Sequence, residues 1–276
     1  MLIIFEMANN HMGSLEHGKK IIDEFSKVKD KFPQFEYAFK FQMRDLSTYI
    51  HPSADPENKY VKRFRETDLG YAGINHLAGY AQGHGFKVGC TPFDERSVEV
   101  MTYNHWDFLK VGSPMATDWS LLHYIGWKWD DDIIASVGGL DEDGIDYLIS
   151  RICLCKSYTL LHCVSEYPTK PENLQLNQID WLKKKYPGIP IGFSYHGDSF
   201  IYVQAAIYKG AEVIERHVCI EPKPNNYSLT PTEMDLELNM IEGAIRWAGE
   251  KGVRVPGPKP IQFMRQNIDG KMAWKP

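Results

Sequence analysis

Glutamate, lysine, histidine and short hydroxyl side chains recur in this sequence at the ends of brief apolar runs. Glu6 closes the first run and is followed by Asn9, Asn10 and His11. Lys40 and Gln42 close the second, Thr91 the third, Lys110 and Ser113 the fourth, and Ser136 the fifth. His162, Ser165, Glu166 and Tyr167 follow the sixth, Ser194 and His196 the seventh, and Glu215, Arg216 and His217 the eighth. Lysines from two runs, joined by hydroxyls from others, could converge on one phosphate or carboxylate. The ammonium supplies a point charge, and hydroxyl and loop N–H groups supply the positioning. Turns at Gly112 and at Gly138-Gly139 would let backbone come close to such a ligand. His196 and His217 could reach one divalent ion and leave other positions to water and substrate. Two imidazoles suit Mn²⁺, Fe²⁺, Co²⁺ or Zn²⁺ better than Mg²⁺, which prefers oxygen. The plainer alternatives are lysines that close a strand toward solvent and a pair of hydrogen-bonded wall histidines. The 21-residue separation of the two histidines follows no HxxxH pattern.

These residues meet only if the runs are strands of one closed sheet. Short apolar runs, read as buried parallel strands, cover residues 2–8, 37–41, 87–90, 108–111, 132–135, 158–162, 189–193 and 212–215. Amphipathic stretches between them predict helices over 15–29, 68–83, 97–103, 119–127, 142–155, 176–185 and 199–208. A last helix is expected over 231–249, with Pro231 in its first turn and Thr230 as N-cap. The fold class is therefore α/β, a single (β/α)₈ barrel, in which the strands' C-terminal ends build the active site. An open doubly wound sheet is the alternative, but the turn Asn9-Asn10-His11-Met12-Gly13-Ser14 lacks GxGxxG spacing.

The 276 residues are 43% hydrophobic and 24% charged, with a formal net charge of -5. That balance describes a globular chain and argues against a nucleic-acid surface, which needs a basic stripe. It does not exclude an anionic substrate, because a few lysines set the field inside a pocket. No apolar run approaches the ~20 residues of a membrane span, and the first residues lack a basic leader. The five cysteines form no CxxC pair, which points to a reducing, cytoplasmic compartment. His17, His51, His76, His84, His105 and His123 read as surface or packing residues, and His162 as a satisfied core residue. The aromatic stretch from Trp119 to Trp129 reads as packing or as the face of a homodimer.

The chain resembles the sialic acid synthase family. The matching strings are Asn9-Asn10-His11-Met12-Gly13-Ser14 after Glu6, Lys40-Phe41-Gln42, Thr91-Pro92-Phe93-Asp94, and Lys110-Val111-Gly112-Ser113. They continue, in family order, with Leu160-Leu161-His162-Cys163, Tyr167-Pro168-Thr169, Gly192-Phe193-Ser194 and Glu215-Arg216-His217. The resemblance implies condensation of phosphoenolpyruvate with a sugar aldehyde to give a sialic-acid-like 2-keto-3-deoxy acid and phosphate, in surface-polysaccharide synthesis. It implies that Lys40, Thr91, Lys110, Ser113, Ser136 and Ser194 hold phosphoenolpyruvate, together with Ser165, which stands where the family has an asparagine. Gln42 and Tyr167 would face the acceptor, and Glu6 would be the carboxylate near the reacting carbons. His196 and His217 would bind the divalent metal, Mn²⁺ in the family, with Co²⁺ or Mg²⁺ as substitutes; His196 would share in catalysis.

Departures from the family pattern fall on the acceptor side: Met115, Tyr195 and Asn225 replace acidic groups, and Gly197 replaces a threonine. The expected organisation is a barrel over 1–257 and a tail over 258–276, without the antifreeze-like domain that follows the barrel in the family. Two other readings stay open. One is a metal-dependent barrel aldolase using pyruvate, and the other is a non-catalytic barrel that binds a ligand or partner.

Overall fold

The computed structural model describes residues 1–248, 266–268 and 271–273. Eight parallel strands run in it: β1 (Leu2–Glu6), β2 (Glu36–Met43), β3 (Lys87–Pro92), β4 (Phe108–Val111), β5 (Ile133–Ser136), β6 (Tyr158–Cys163), β7 (Ile191–Tyr195) and β8 (Val213–His217). They pair in chain order and close, β1 bonding to both β2 and β8. The barrel read from the sequence is thus the fold. Its helices are α1 (Leu15–Lys31), α2 (Leu46–Tyr49), α3 (Lys59–Glu66), α4 (Gly70–Gly83), α5 (Glu95–Thr102), α6 (Trp119–Lys128), α7 (Glu142–Ile152), α8 (Asn177–Lys185), α9 (Ile201–Tyr208) and α10 (Pro231–Ala248).

Side chains alternate between the two faces of a strand, and that alternation builds the site. Outward residues such as Ile3, Phe5, Phe39, Leu109 and Phe193 pack with the helices in one apolar cluster. Inward residues Ile4, Ala38, Phe108, Ile134, Leu161 and Val213 form a separate cluster that plugs the barrel. Two positions further along the same strands stand Glu6, Lys40, Lys110, Ser136, Cys163 and Glu215. An apolar plug therefore carries a floor of polar groups. On β3 and β7 the plug position is glycine: a Cβ on Gly89 would lie 2.1 Å from the Phe108 ring, and one on Gly192 2.4 Å from Leu161 Cδ2. Gly89→Ala should therefore cost about 1–3 kcal/mol of stability by overpacking, read as a lower midpoint in urea. An unchanged midpoint would show that the Phe108 ring moves aside freely.

Arg216 ties the barrel to α10. It is wholly buried and donates to the carbonyls of Tyr195 (2.9 Å) and Gly197 (2.8 Å). Its Nε lies 3.2 Å from Glu237 Oε1, also buried, and its guanidinium stacks 4.6 Å from the Tyr195 ring centroid. Thr230 caps α10 as expected: its N–H donates to Glu233 Oε2 (2.8 Å), and its hydroxyl accepts from the Glu233 N–H (3.4 Å).

Element ends differ from the sequence expectations in physically legible ways. β1 stops at Glu6 rather than residue 8, because Ala8 takes φ 46 and leaves the extended region. β7 and β8 each extend two residues past their predicted ends, carrying Tyr195 and His217 into the sheet. α5 starts at Glu95 behind Asp94, whose carboxylate accepts from the Ser97 N–H (2.7 Å). α2 and α3 were not expected; neither contains a buried residue, so no core-facing stripe marks them. The predicted end of the last helix at 249 and the barrel boundary at 257 fall outside the described residues. Within the expected tail, Gln266–Ile268 and Lys271–Ala273 pair antiparallel. Among the described residues no helix is long and apolar enough to cross a membrane.

Candidate active site

A cavity of about 610 Å³ opens at the C-terminal end of the barrel. Its lining brings together Glu6, Lys40, Gln42, Thr91, Lys110, Ser113, Ser136, Tyr167, Ser194, His196 and His217. Ser165 is the one sequence-selected residue outside it, exposed on the loop after β6. His162 faces outward as a core residue, stacked on Phe193, with Nε2 2.7 Å from the Leu174 carbonyl.

The floor is a compact set of charges. Lys40 is ion-paired with Glu6 and donates to Thr91 Oγ1 at 2.9 Å. Burial alone would lower the Lys40 pKa, but the Glu6 and Glu215 carboxylates outweigh it and keep the group an ammonium. Glu6 Oε1 accepts from Gln42 Nε2 at 2.9 Å, and burial pushes its carboxyl up against the pull of Lys40. Glu215 accepts from Ser194 Oγ at 2.8 Å. Burial would raise its carboxyl, yet Lys110 and Lys40 hold it below the usual range. Lys110 is different. Its Nζ donates to Ser136 Oγ (2.6 Å) and the Val111 carbonyl (3.1 Å), and it has no carboxylate within ion-pairing distance among the described residues. Burial lowers its pKa, opposed by Glu215. A buried ammonium facing only neutral partners is a ready seat for an anion. Ser113 Oγ lies 2.9 Å from Cys163 Sγ, and a Cβ on Gly138 would meet that sulfur at 2.6 Å. Only glycine lets the loop after β5 close down on this corner.

His196 and His217 stand side by side, ring centroids 5.0 Å apart. Burial holds the His196 pKa down at about 3 and the His217 pKa well below the ordinary imidazole value. Both rings are thus neutral at physiological pH, with a lone pair available. The Nδ1 atoms of both are buried without a hydrogen-bond partner. Two orphaned imidazole nitrogens fit a divalent ion of intermediate softness. Among the described residues no three His, Cys, Asp or Glu side chains gather around one point, so further ligands would be substrate or water oxygens. Tyr167 and Tyr227 wall this corner, with ring centroids 4.4 Å from His196 and 5.4 Å from His217 respectively.

The sequence and fold have known counterparts. Residues 35–251 match the NeuB family. The chain belongs to the NeuB family. It is 29% identical over 240 residues to N-acetylneuraminate-9-phosphate synthase of Mus musculus, covering 84% of this chain and 67% of the mouse protein. It superposes with a TM-score of 0.87 on a putative spore coat polysaccharide biosynthesis protein E from Chromobacterium violaceum, at 36% identity, covering 93% of this chain and 78% of the other. An N-acetylneuraminic acid synthetase from Leptospira borgpetersenii gives a TM-score of 0.81 at 26% identity, covering 92% and 87%.

Several lining residues of this NeuB-family barrel escaped the sequence reading. Glu215 stands at the end of the eighth run in the sequence but is given no role there, although its place two positions before His217 on one strand puts it on the same face. Arg44, Lys59, Tyr60, Arg63, Phe64 and Phe93 also line the cavity, four of them from α3, which left no apolar signature. Tyr227 lay in a loop. Of the positions that depart from the family pattern, Met115 and Tyr195 are buried in the outer core rather than in the cavity wall. Gly197 accepts from Arg216, and a Cβ there would meet Tyr195 Oη at 2.3 Å. Asn225 alone among them lines the cavity, 3.4 Å from Asn10 Oδ1.

Proposed function

We propose that the chain is a carbon–carbon bond-forming synthase that joins phosphoenolpyruvate to a sugar aldehyde, giving a nonulosonic or related 2-keto-3-deoxy acid and phosphate. The observation that carries this reading is Lys110, a buried ammonium with no carboxylate within ion-pairing distance among the described residues, beside Lys40 and two neutral histidines whose Nδ1 atoms lack partners, on one floor. NeuB-family membership and the synthase named in the mouse relative support the same chemistry. The spore coat polysaccharide relative supports a place in surface-polysaccharide synthesis.

Lys110 and Lys40, with the hydroxyls of Ser136, Ser113, Thr91 and Ser194, would hold the phosphate and carboxylate of phosphoenolpyruvate. His196 and His217 would hold a divalent ion, Mn²⁺ in our reading, which when bound supplies Lewis acidity toward the aldehyde oxygen. The C3 carbon of phosphoenolpyruvate forms the new bond to the aldehyde carbon, whose oxygen takes a proton. Positive charge then develops at C2, where Glu6 stabilises it and orients the incoming water. Phosphate leaves by C–O cleavage. Gln42 holds Glu6 in place from the acceptor side, and Tyr167 walls that side. All five cysteines are free thiols, which supports a cytoplasmic setting.

The direct test supplies Mn²⁺, phosphoenolpyruvate and a panel of aldoses, N-acyl sugars and sugar phosphates. Phosphate and a 2-keto acid should appear together. Release from no member of the panel sinks the reading, and turnover with pyruvate in place of phosphoenolpyruvate would make the protein an aldolase. His217→Ala should lower metal-supported turnover by at least about a hundredfold while leaving the melting temperature intact. Residual activity unaffected by chelator would overturn the histidine assignment.

A further inference from the structure

The β2 side of the cavity rim carries a second concentration of positive charge. Arg44 follows β2 directly, and Lys59 and Arg63, four residues apart on α3, share a helical face. All three line the cavity. None has a carboxylate within ion-pairing distance among the described residues. The acids that line the cavity, Glu6 and Glu215, both belong to the floor.

Arg44 is fixed in place without being neutralised. Its guanidinium lies between the rings of Phe64 and Phe93, 4.3 and 4.4 Å from their centroids. One Nη donates to Gln42 Oε1, the other lies 3.4 Å from Asn9 Oδ1, and Nε is buried without a partner. Arg63 Nη2 lies 3.5 Å from Asn10 Oδ1. Neutral amides therefore orient both guanidinium groups and leave both without a carboxylate among the described residues, an arrangement that costs the largely buried Arg44 most unless an anion joins it. Four residues of extended chain, about 13 Å, separate Lys40 from Arg44, so floor and rim are distinct anion positions.

We infer that the acceptor sugar carries a phosphate monoester at the end remote from its aldehyde, held by Arg44, Arg63 and Lys59. This rests on the synthase reading of the same cavity. Three cations lining one side of the cavity favour phosphate over carboxylate, since phosphate brings about -1.5 to -2 charges and three acceptor oxygens.

Calorimetry on the whole protein tests it, with mannose, N-acetylmannosamine, their 6-phosphates and a hexuronate as probes, each with and without phosphoenolpyruvate and Mn²⁺. The 6-phosphates should bind at least about tenfold more tightly than the neutral sugars. A Lys59→Gln/Arg63→Gln double variant should lose most of that advantage, with an unchanged Kd for phosphoenolpyruvate and an unchanged melting temperature. Equal affinity for neutral and phosphorylated sugars overturns the inference, as does an advantage that survives in the double variant. Tighter binding of the hexuronate than of any 6-phosphate also overturns it, in favour of a carboxylate. Failure of phosphoenolpyruvate itself to bind the wild-type protein is a separate readout, and strikes the synthase reading instead.

Discussion

Lys110→Met is expected to weaken phosphoenolpyruvate binding by about two orders of magnitude or more and, at the same time, to stabilise the ligand-free protein. Both effects follow from one fact: the ammonium is buried and, among the described residues, has only Ser136 Oγ and the Val111 carbonyl as hydrogen-bond partners. Without an anion, it is mainly the more distant Glu215 carboxylate that offsets its desolvation cost, and Lys40 remains to hold Glu215 ionised when Lys110 is replaced. A methionine of similar length removes that cost, so the ligand-free variant should gain about 1–3 kcal/mol. The destabilisation should also relax with pH in the wild type. Burial depresses the folded-state pKa of Lys110, so the unfolded chain binds more protons than the folded one between the two pKa values. Stability therefore rises as pH climbs from the folded value toward the unfolded value near 10.4. Calorimetry with phosphoenolpyruvate and denaturant melts of both proteins check this. A variant that loses both binding and stability would show Lys110 to be structural.

Arg216→Met should act in the opposite sense. Here the buried cation has its acid, Glu237, and two backbone carbonyls. Removing the arginine strands Glu237, whose carboxyl burial already pushes up and only Arg216 pulls down. The expected loss is about 3–5 kcal/mol, and the double variant Arg216→Met/Glu237→Met should recover much of it. Urea unfolding of the single and double variants measures this directly. A double variant as unstable as the single one would mean that the contacts of Arg216 with the Tyr195 and Gly197 carbonyls, not its ion pair with α10, carry the stability.

The sequence disclosed the barrel because its eight apolar runs alternate with amphipathic ones, and because period-two alternation sends Lys40, Lys110, Ser194 and His217 to one side of their strands. It disclosed the floor for the same reason. Ser165 was misplaced because it lies beyond the end of β6, where alternation no longer dictates direction. The family resemblance puts Met115 and Tyr195 on the acceptor side, but Met115 packs into the outer core and Tyr195 faces the helices as the odd member of Ser194-Tyr195-His196. The rim stayed hidden because most of its residues come from α3, whose charged residues line the cavity and whose apolar residues Val61 and Phe64 are only partly buried. A short charged stretch of that kind looks like a solvated loop until its neighbours in space are known.

The apolar plug of Ile4, Ala38, Phe108, Ile134, Leu161 and Val213 has a kinetic consequence. It seals the barrel beneath the polar floor, so among the described residues the cavity opens at the rim. Whatever occupies the floor has to enter before the rim is filled and depart after the rim is cleared. Turnover should accordingly follow a compulsory order, phosphoenolpyruvate first and inorganic phosphate last, with phosphate competing against phosphoenolpyruvate at the floor.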